Sequence, residues 1–245
     1  MSDSILFKQQ GHIAHISLNR PATGNLINQE LAQELKEVCR RVRHDNDIYV
    51  VVITGAGEKA FCLGSENLPA EDNVAAEIAA VEKPTIVAIN GDAMGQGLEL
   101  ALSCDIRIAS NLARFGLPQI TRGFLPSDGG TQRLPRIVGR AKALELILTG
   151  DIIDAEEALE IGLVQKVVMG GNLVTEVEAI AKAMACKGPL SLKYAKEAIV
   201  KGMDLTLEQG LRLETDLYML LHTTKDRTEG IRSFQQKKTP DFKGK

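Results

Sequence analysis

The chain has 245 residues, 44% of them apolar and 25% charged, with a formal net charge of −3. That length suits one large domain or a domain with a small appendage, and the slight negative charge supplies no field to gather nucleic acid or an anionic membrane. No apolar run approaches the ~18 residues of a membrane helix, no basic segment leads into an apolar stretch at the start, and Cys39, Cys62, Cys104 and Cys186 form no Cys-x-x-Cys pair. Scattered thiols fit a reducing compartment, so a cytoplasmic location is expected. His12, His15, His44 and His222 stand at no metal-ligand spacing, and no metal site is expected.

From the N-terminus, residues 12–18 alternate apolar and polar and predict a strand. Asn28 can cap a helix whose apolar positions Leu31, Leu35, Val38, Cys39 and Val42 recur at helical spacing, with Lys36, Arg40, Arg41 and Arg43 on the polar face. The β-branched run 48–54 ends at Gly55 and predicts a buried strand, as do 85–89 before Asn90-Gly91 and 104–109. Strands alternating with helices point to an α/β core. Beyond about Val168 the pattern is helical. Residues 207–221 carry one apolar face at Leu207, Leu211, Tyr218 and Leu221 and another at Leu213, Leu217 and Leu220. A surface helix needs one such face, so this one is expected to be covered on both sides, the second by another subunit. The tail from Gln235 is polar.

Two glycine-bearing turns come after buried strands, residues 60–68 and 90–99. Glycine lets the backbone approach a ligand closely, and the second turn runs into a helix predicted to begin near Leu98. N–H groups at a helix start carry partial positive charge and can stabilise an oxygen that becomes negative during reaction. Taken alone, either turn is more simply an ordinary strand-to-helix connection.

In combination with the segments downstream, the turns have a precedent. Phe61–Leu68 is succeeded by Gly95-Gln96-Gly97-Leu98-Glu99-Leu100-Ala101-Leu102-Ser103-Cys104-Asp105, then Phe115-Gly116-Leu117-Pro118 and Gly123, then Gly129-Gly130-Thr131-Gln132-Arg133-Leu134-Pro135-Arg136. Thr149-Gly150, Ala155–Ala158, Gly162-Leu163-Val164, Asp226, Glu229-Gly230, Phe234 and Phe242 complete the order. Over nearly its whole length the chain resembles the crotonase (enoyl-CoA hydratase/isomerase) superfamily. The resemblance implies the crotonase (ClpP-like) α/β spiral of ββα units, with a catalytic, CoA-binding core at 1–188 and a C-terminal helical region at 189–245 for oligomerisation and part of the CoA site. The two-faced helix at 207–221 then motivates the expectation of a homotrimer or dimer of trimers.

The implied substrate is an acyl thioester of coenzyme A, with CoA as part of the substrate and no other cofactor. By similarity, the oxyanion donors are the backbone N–H groups of Ser65 and Gln96, and Leu63, Gly64, Ser65, Glu66, Asn67 and Leu68 contact CoA. Glutamine replaces the usual glycine at 96. The basic residue that often comes after Asn-Arg-Pro is absent, since Ala22-Thr23 succeeds Arg20-Pro21. Lys237 and Lys238 could reach CoA phosphates, although a lysine pair is more simply a solvated surface.

Family hydratases use two glutamates. Glu99 matches the first, while the second position holds Gln119, an amide that orients water but exchanges no proton at neutral pH. Asp128, in Pro126-Ser127-Asp128-Gly129-Gly130, is a candidate second acid or, equally, the N-cap of the next helix. The expected activity is enoyl-CoA hydration, with Glu99, Asp128 and Gln119 as the catalytic set. The alternative is isomerisation by one carboxylate, although single-glutamate isomerases of the family commonly keep it at the position of Gln119. A crotonase-like branch binds RNA through a basic helix, but the Arg40-Arg41-Arg43 cluster lies in an acidic chain without interleaved aromatics and is read as a solvated face.

Overall fold

A computed structural model describes residues 4–66 and 73–245. Among the described residues, ten strands form two sheets: β1 (Ile5–Gln10), β2 (Ile13–Leu18), β3 (Val50–Gly55), β4 (Ala60–Cys62), β5 (Thr85–Ile89), β6 (Asp92–Met94), β7 (Ile106–Ser110), β8 (Phe115–Gly116), β9 (Ile152–Ile153) and β10 (Lys166–Val168). The larger sheet has the order β1-β2-β3-β5-β7-β10 and the smaller β4-β6-β8-β9. Beyond the β1–β2 hairpin, the large sheet is parallel. The chain alternates between sheets, so that β3 leads to β4, β5 to β6 and β7 to β8. Helices α1 (Gln29–His44), α2 (Val74–Ala79) and α3 (Gln96–Leu102) come after β2, β4 and β6. This is the ββα spiral of the crotonase fold.

Side-chain alternation along each strand decides which layer it feeds. Ala14, Ile16, Leu18, Val51 and Ile53 join Leu31, Leu35, Cys39 and Val42 of α1 in the main core. Ile13, Val50, Val52, Ile86, Ala88 and Ile108 face the opposite side, where Leu173, Val177 and Ala181 of α7 (Leu173–Ala185) close a second core. The expected Asn28 cap is present, its side chain accepting the Leu31 N–H at 2.9 Å. The strand expected at 85–89 appears with those ends, the other expected strands appear with ends shifted by one or two residues, and β1 is an additional strand.

The helix of the second turn begins at Gln96, two residues before the expected Leu98. Gln96 therefore stands in the first helical turn, at the positive end of α3. Gly97 must be glycine there, because a Cβ would lie 2.2 Å from the Cys62 carbonyl oxygen. The two glycine turns are thus pressed together backbone to backbone.

After α4 (Gly130–Val138), α5 (Arg140–Thr149) and α6 (Ala155–Glu160), the chain returns to the large sheet at β10 and then becomes helical. Helices α8 (Pro189–Gly202), α9 (Leu207–Leu221) and α10 (Lys225–Gln236) come after α7. The two-faced helix has the expected bounds, but in the single chain only Leu217 of α9 is buried. Its neighbour is α8, and Leu207, Leu211, Tyr218 and Leu220 remain exposed. The tail folds back on the core: the Asp226 carboxylate accepts the N–H groups of Lys243 and Gly244 at 2.7 and 2.8 Å, and the Tyr49 hydroxyl donates to the Phe242 carbonyl. Among the described residues no helix is long and apolar enough to cross a membrane.

Candidate active site

The first turn leaves β4 and forms a parallel bridge between Ser65 and Ile27. Ile27 uses both its backbone groups, donating to the Gly64 carbonyl at 2.9 Å and accepting the Glu66 N–H at 2.8 Å. In such a bridge the N–H of the opposing residue points the other way, so the Ser65 N–H is directed away from Ile27. A Cβ on Gly64 would come within 3.5 Å of the Met94 carbonyl oxygen and 4.0 Å of the Gln96 nitrogen, which places the first turn beside the start of α3. Leu63 is exposed and Glu66 pairs with Arg20 at 3.6 Å. Asn67 and Leu68 lie outside the described residues.

Glu99, one turn into α3, is 1% exposed. Its Oε1 accepts the backbone N–H groups of Asp128 and Gly130, at 2.7 and 2.8 Å, and its Oε2 accepts Gln119 Nε2 at 3.2 Å. Gly130 can donate because it lacks a side chain: a Cβ would sit 2.9 Å from both Glu99 Oε1 and Pro126 Cβ. Burial pushes the Glu99 carboxyl up to about 7, and the neighbouring Asp128 charge adds to the rise. The two backbone donors and Arg133 oppose it. Proton exchange near neutrality is thereby within reach of this one carboxylate.

Gln119 lies in the short 3-10 helix Pro118–Arg122 and turns its amide toward Glu99. Its Oε1 is buried with no hydrogen-bond partner among the described residues. A buried acceptor left unmet is costly and calls for a donor from water or ligand.

Asp128 does not cap the next helix. Gly129 holds the N-cap of α4 without any side-chain capping bond, and the Asp128 carboxylate points elsewhere. Its two oxygens accept the Ala75 N–H, at 3.2 and 3.1 Å, in the first turn of α2, and Oδ2 also accepts Gln96 Nε2 at 3.0 Å. Asp128 is 2% exposed; burial raises its pKa while these donors pull it back down. The structure therefore gathers Glu99, Gln119, Asp128 and the Gln96 side chain in one connected network. Sequence reasoning missed α2 as a participant. The only local hint was the capping-competent Asn73, which accepts the Ala76 N–H at 2.8 Å.

Comparison with known proteins gives the family of the chain. The family model described as enoyl-CoA hydratase/isomerase matches residues 8–245. The chain belongs to that family. It is 41% identical to the 2,3-dehydroadipyl-CoA hydratase of Escherichia coli strain K12, covering 100% of both chains. It is 40% identical to the (E)-benzylidenesuccinyl-CoA hydratase of Thauera aromatica, covering 98% of this chain and 99% of the relative. The crystal structure of an enoyl-CoA hydratase from Bacillus anthracis superposes with a TM-score of 0.97 at 38% identity, covering 99% of this chain and 100% of the other.

Proposed function

We propose that this chain is an enoyl-CoA hydratase that works with one proton-carrying carboxylate. The observation that carries the reading is Glu99: buried, fixed at Oε1 by two backbone donors, and with its pKa raised to about 7. A water molecule donates one hydrogen bond to Glu99 Oε2 and the other to the otherwise unmet Gln119 Oε1. Its oxygen attacks Cβ of the 2-enoyl thioester, the water proton passes to Glu99, and electron density moves to the thioester oxygen. The N–H groups of Ser65 and Gln96 receive that oxyanion, an electrostatic effect worth about 10²–10³-fold per donor in related chemistry. Glu99 then returns the proton to Cα, the thioester bond stays intact, and one water has been added. Gln119 orients and does not exchange a proton.

Residues 63–68 are the CoA contacts in this reading, which needs no cofactor beyond the CoA of the substrate. The protein works in the cytoplasm as a homotrimer or dimer of trimers, with 1–188 as the core and 189–245 as the assembling region. The hydratase names of the relatives favour hydration over isomerisation. Incubation with short, medium and cyclic enoyl-CoA thioesters, followed by mass analysis, tests the choice. Hydration adds the mass of one water; an isomer with unchanged mass overturns the reading.

A further inference from the structure

We propose that Asp128 and the Gln96 side chain are a positioning pair that sets Glu99 and the second oxyanion donor against each other, and that Asp128 carries no proton in the reaction. Asp128 touches three parts of the site at once. Its backbone N–H donates to Glu99 Oε1 at 2.7 Å. Its carboxylate accepts Gln96 Nε2 at 3.0 Å, from the residue whose backbone N–H is the proposed second donor to the oxyanion. The same carboxylate accepts the Ala75 N–H of α2, a helix from a distant stretch of chain.

The chemistry of these partners separates positioning from acid catalysis. Backbone N–H groups and an amide nitrogen are donors only. An acid that must give up a proton needs an acceptor in line with it, and both carboxylate oxygens here face donors. The carboxylate is therefore held as an acceptor, and its charge aligns the donors around it. A small displacement of either Glu99 or the Gln96 backbone separates base from oxyanion, and misplacement on the scale of about 1 Å can cost about 10²-fold.

This inference rests on the proposal that Glu99 is the base, and its test separates the two. Asp128→Ala is expected to lower kcat by about 10–100-fold with KM within about threefold. Asp128→Asn is expected to recover most of that loss. The asparagine oxygen still accepts from Ala75, and Gln96 can turn its amide to accept from the new Nδ2. A true acid would be as impaired by asparagine as by alanine, and that result overturns the proposal. Gln96→Ala is expected to lose a similar factor, and adding it to Asp128→Ala is expected to change little, because two members of one network are not additive. Independent, multiplying losses would sink the pair.

A readout without turnover keeps the test standing if the hydration reading fails. With glutamate carboxyl carbons labelled with ¹³C, Glu99 can be titrated by NMR in the free protein and assigned by its absence in Glu99→Gln. Asp128→Asn removes a negative charge beside Glu99 and is expected to lower its pKa. Should the variant be too unstable to titrate, Gln96→Ala, which leaves the Asp128 charge in place, supplies the kcat-against-KM split alone. An unmoved Glu99 titration, or Gln96→Ala with unchanged kcat, would refute the coupling.

Discussion

The sheets and the C-terminal helices are built to different standards of closure. In the sheets, β5 is buried throughout and β3 nearly so, and two apolar clusters fill the space beneath α1 and α7. In the helices after Gly188, α8 buries no residue, α9 only Leu217, and α10 the polar pair Asp226 and Ser233. Yet α9 is as apolar as a core helix, with Leu207 80%, Leu211 54% and Tyr218 59% exposed. The first region satisfies its hydrophobic pattern within one chain. The second leaves several large apolar side chains exposed, as a surface awaiting a partner would. A site whose contacts must hold to a fraction of an ångström belongs in the first region, where packing over-determines each side chain.

The largest expected effect falls inside the closed region. Glu99→Gln should lower turnover by at least ~10²-fold, the scale for loss of a general base, while CoA affinity measured by calorimetry stays near that of the wild type. A rate within a few-fold of wild type would remove Glu99 from the chemistry.

The open region is tested by charge. Replacing Leu211 and Tyr218 together by Asp places two carboxylates on the exposed face of α9 and should convert the proposed trimer or dimer of trimers to a monomer by light scattering at micromolar concentration. The sheet core should remain folded by circular dichroism. An assembly unchanged by these charges, or a wild-type monomer, would break the contrast between the regions.

Burial of Glu99 also predicts how stability varies with pH. Its folded pKa of about 7 lies above the ordinary carboxylate value of 4.5. Between those values the unfolded chain gives up a proton that the folded chain keeps, so this group's contribution falls as pH rises from about 4.5 to 7 and is level above. At about 1.4 kcal/mol per pH unit, the ionised form costs the fold ~3 kcal/mol. Glu99→Gln should therefore be more stable relative to wild type at pH 8 than at pH 5, measured by chemical denaturation. A constant difference would show that the site is better solvated than its burial implies.

Two smaller effects sharpen the reading. Gln119→Glu sets a second carboxyl where the 3.2 Å amide contact now lies. It should push the apparent Glu99 pKa further up in the pH–rate profile and leave hydration of a straight-chain enoyl-CoA unchanged or faster. Damage to activity would show that the amide serves a different acyl group. Finally, acetyl-CoA at millimolar concentration should raise the melting temperature, since a ligand of the folded state alone stabilises it. No shift at saturation would count against residues 63–68 as a CoA surface.

Local pattern marked several of the long elements, and the family resemblance named Glu99. The period-2 and β-branched runs located β2, β3, β5 and β7, the 3.6-residue spacing located α1 with its Asn28 cap, and the two-faced stretch gave α9 its bounds. Each is legible because neighbours in sequence are neighbours in the element, and the ordered motifs carried the family resemblance through which the two turns and Glu99 were singled out. Tertiary structure decided the rest. Strands of two or three residues, β4, β6, β8 and β9, carry no periodicity of their own and exist because the chain crosses to a second sheet. The partner of Asp128 is Ala75, 53 positions earlier, and that of Glu99 is Gly130, 31 positions later. No local rule links such pairs, because they meet only where the spiral brings separate turns together. Sequence could name Asp128 as a cap or an acid, but only the packing of α2, α3 and the start of α4 around it set which groups its oxygens face.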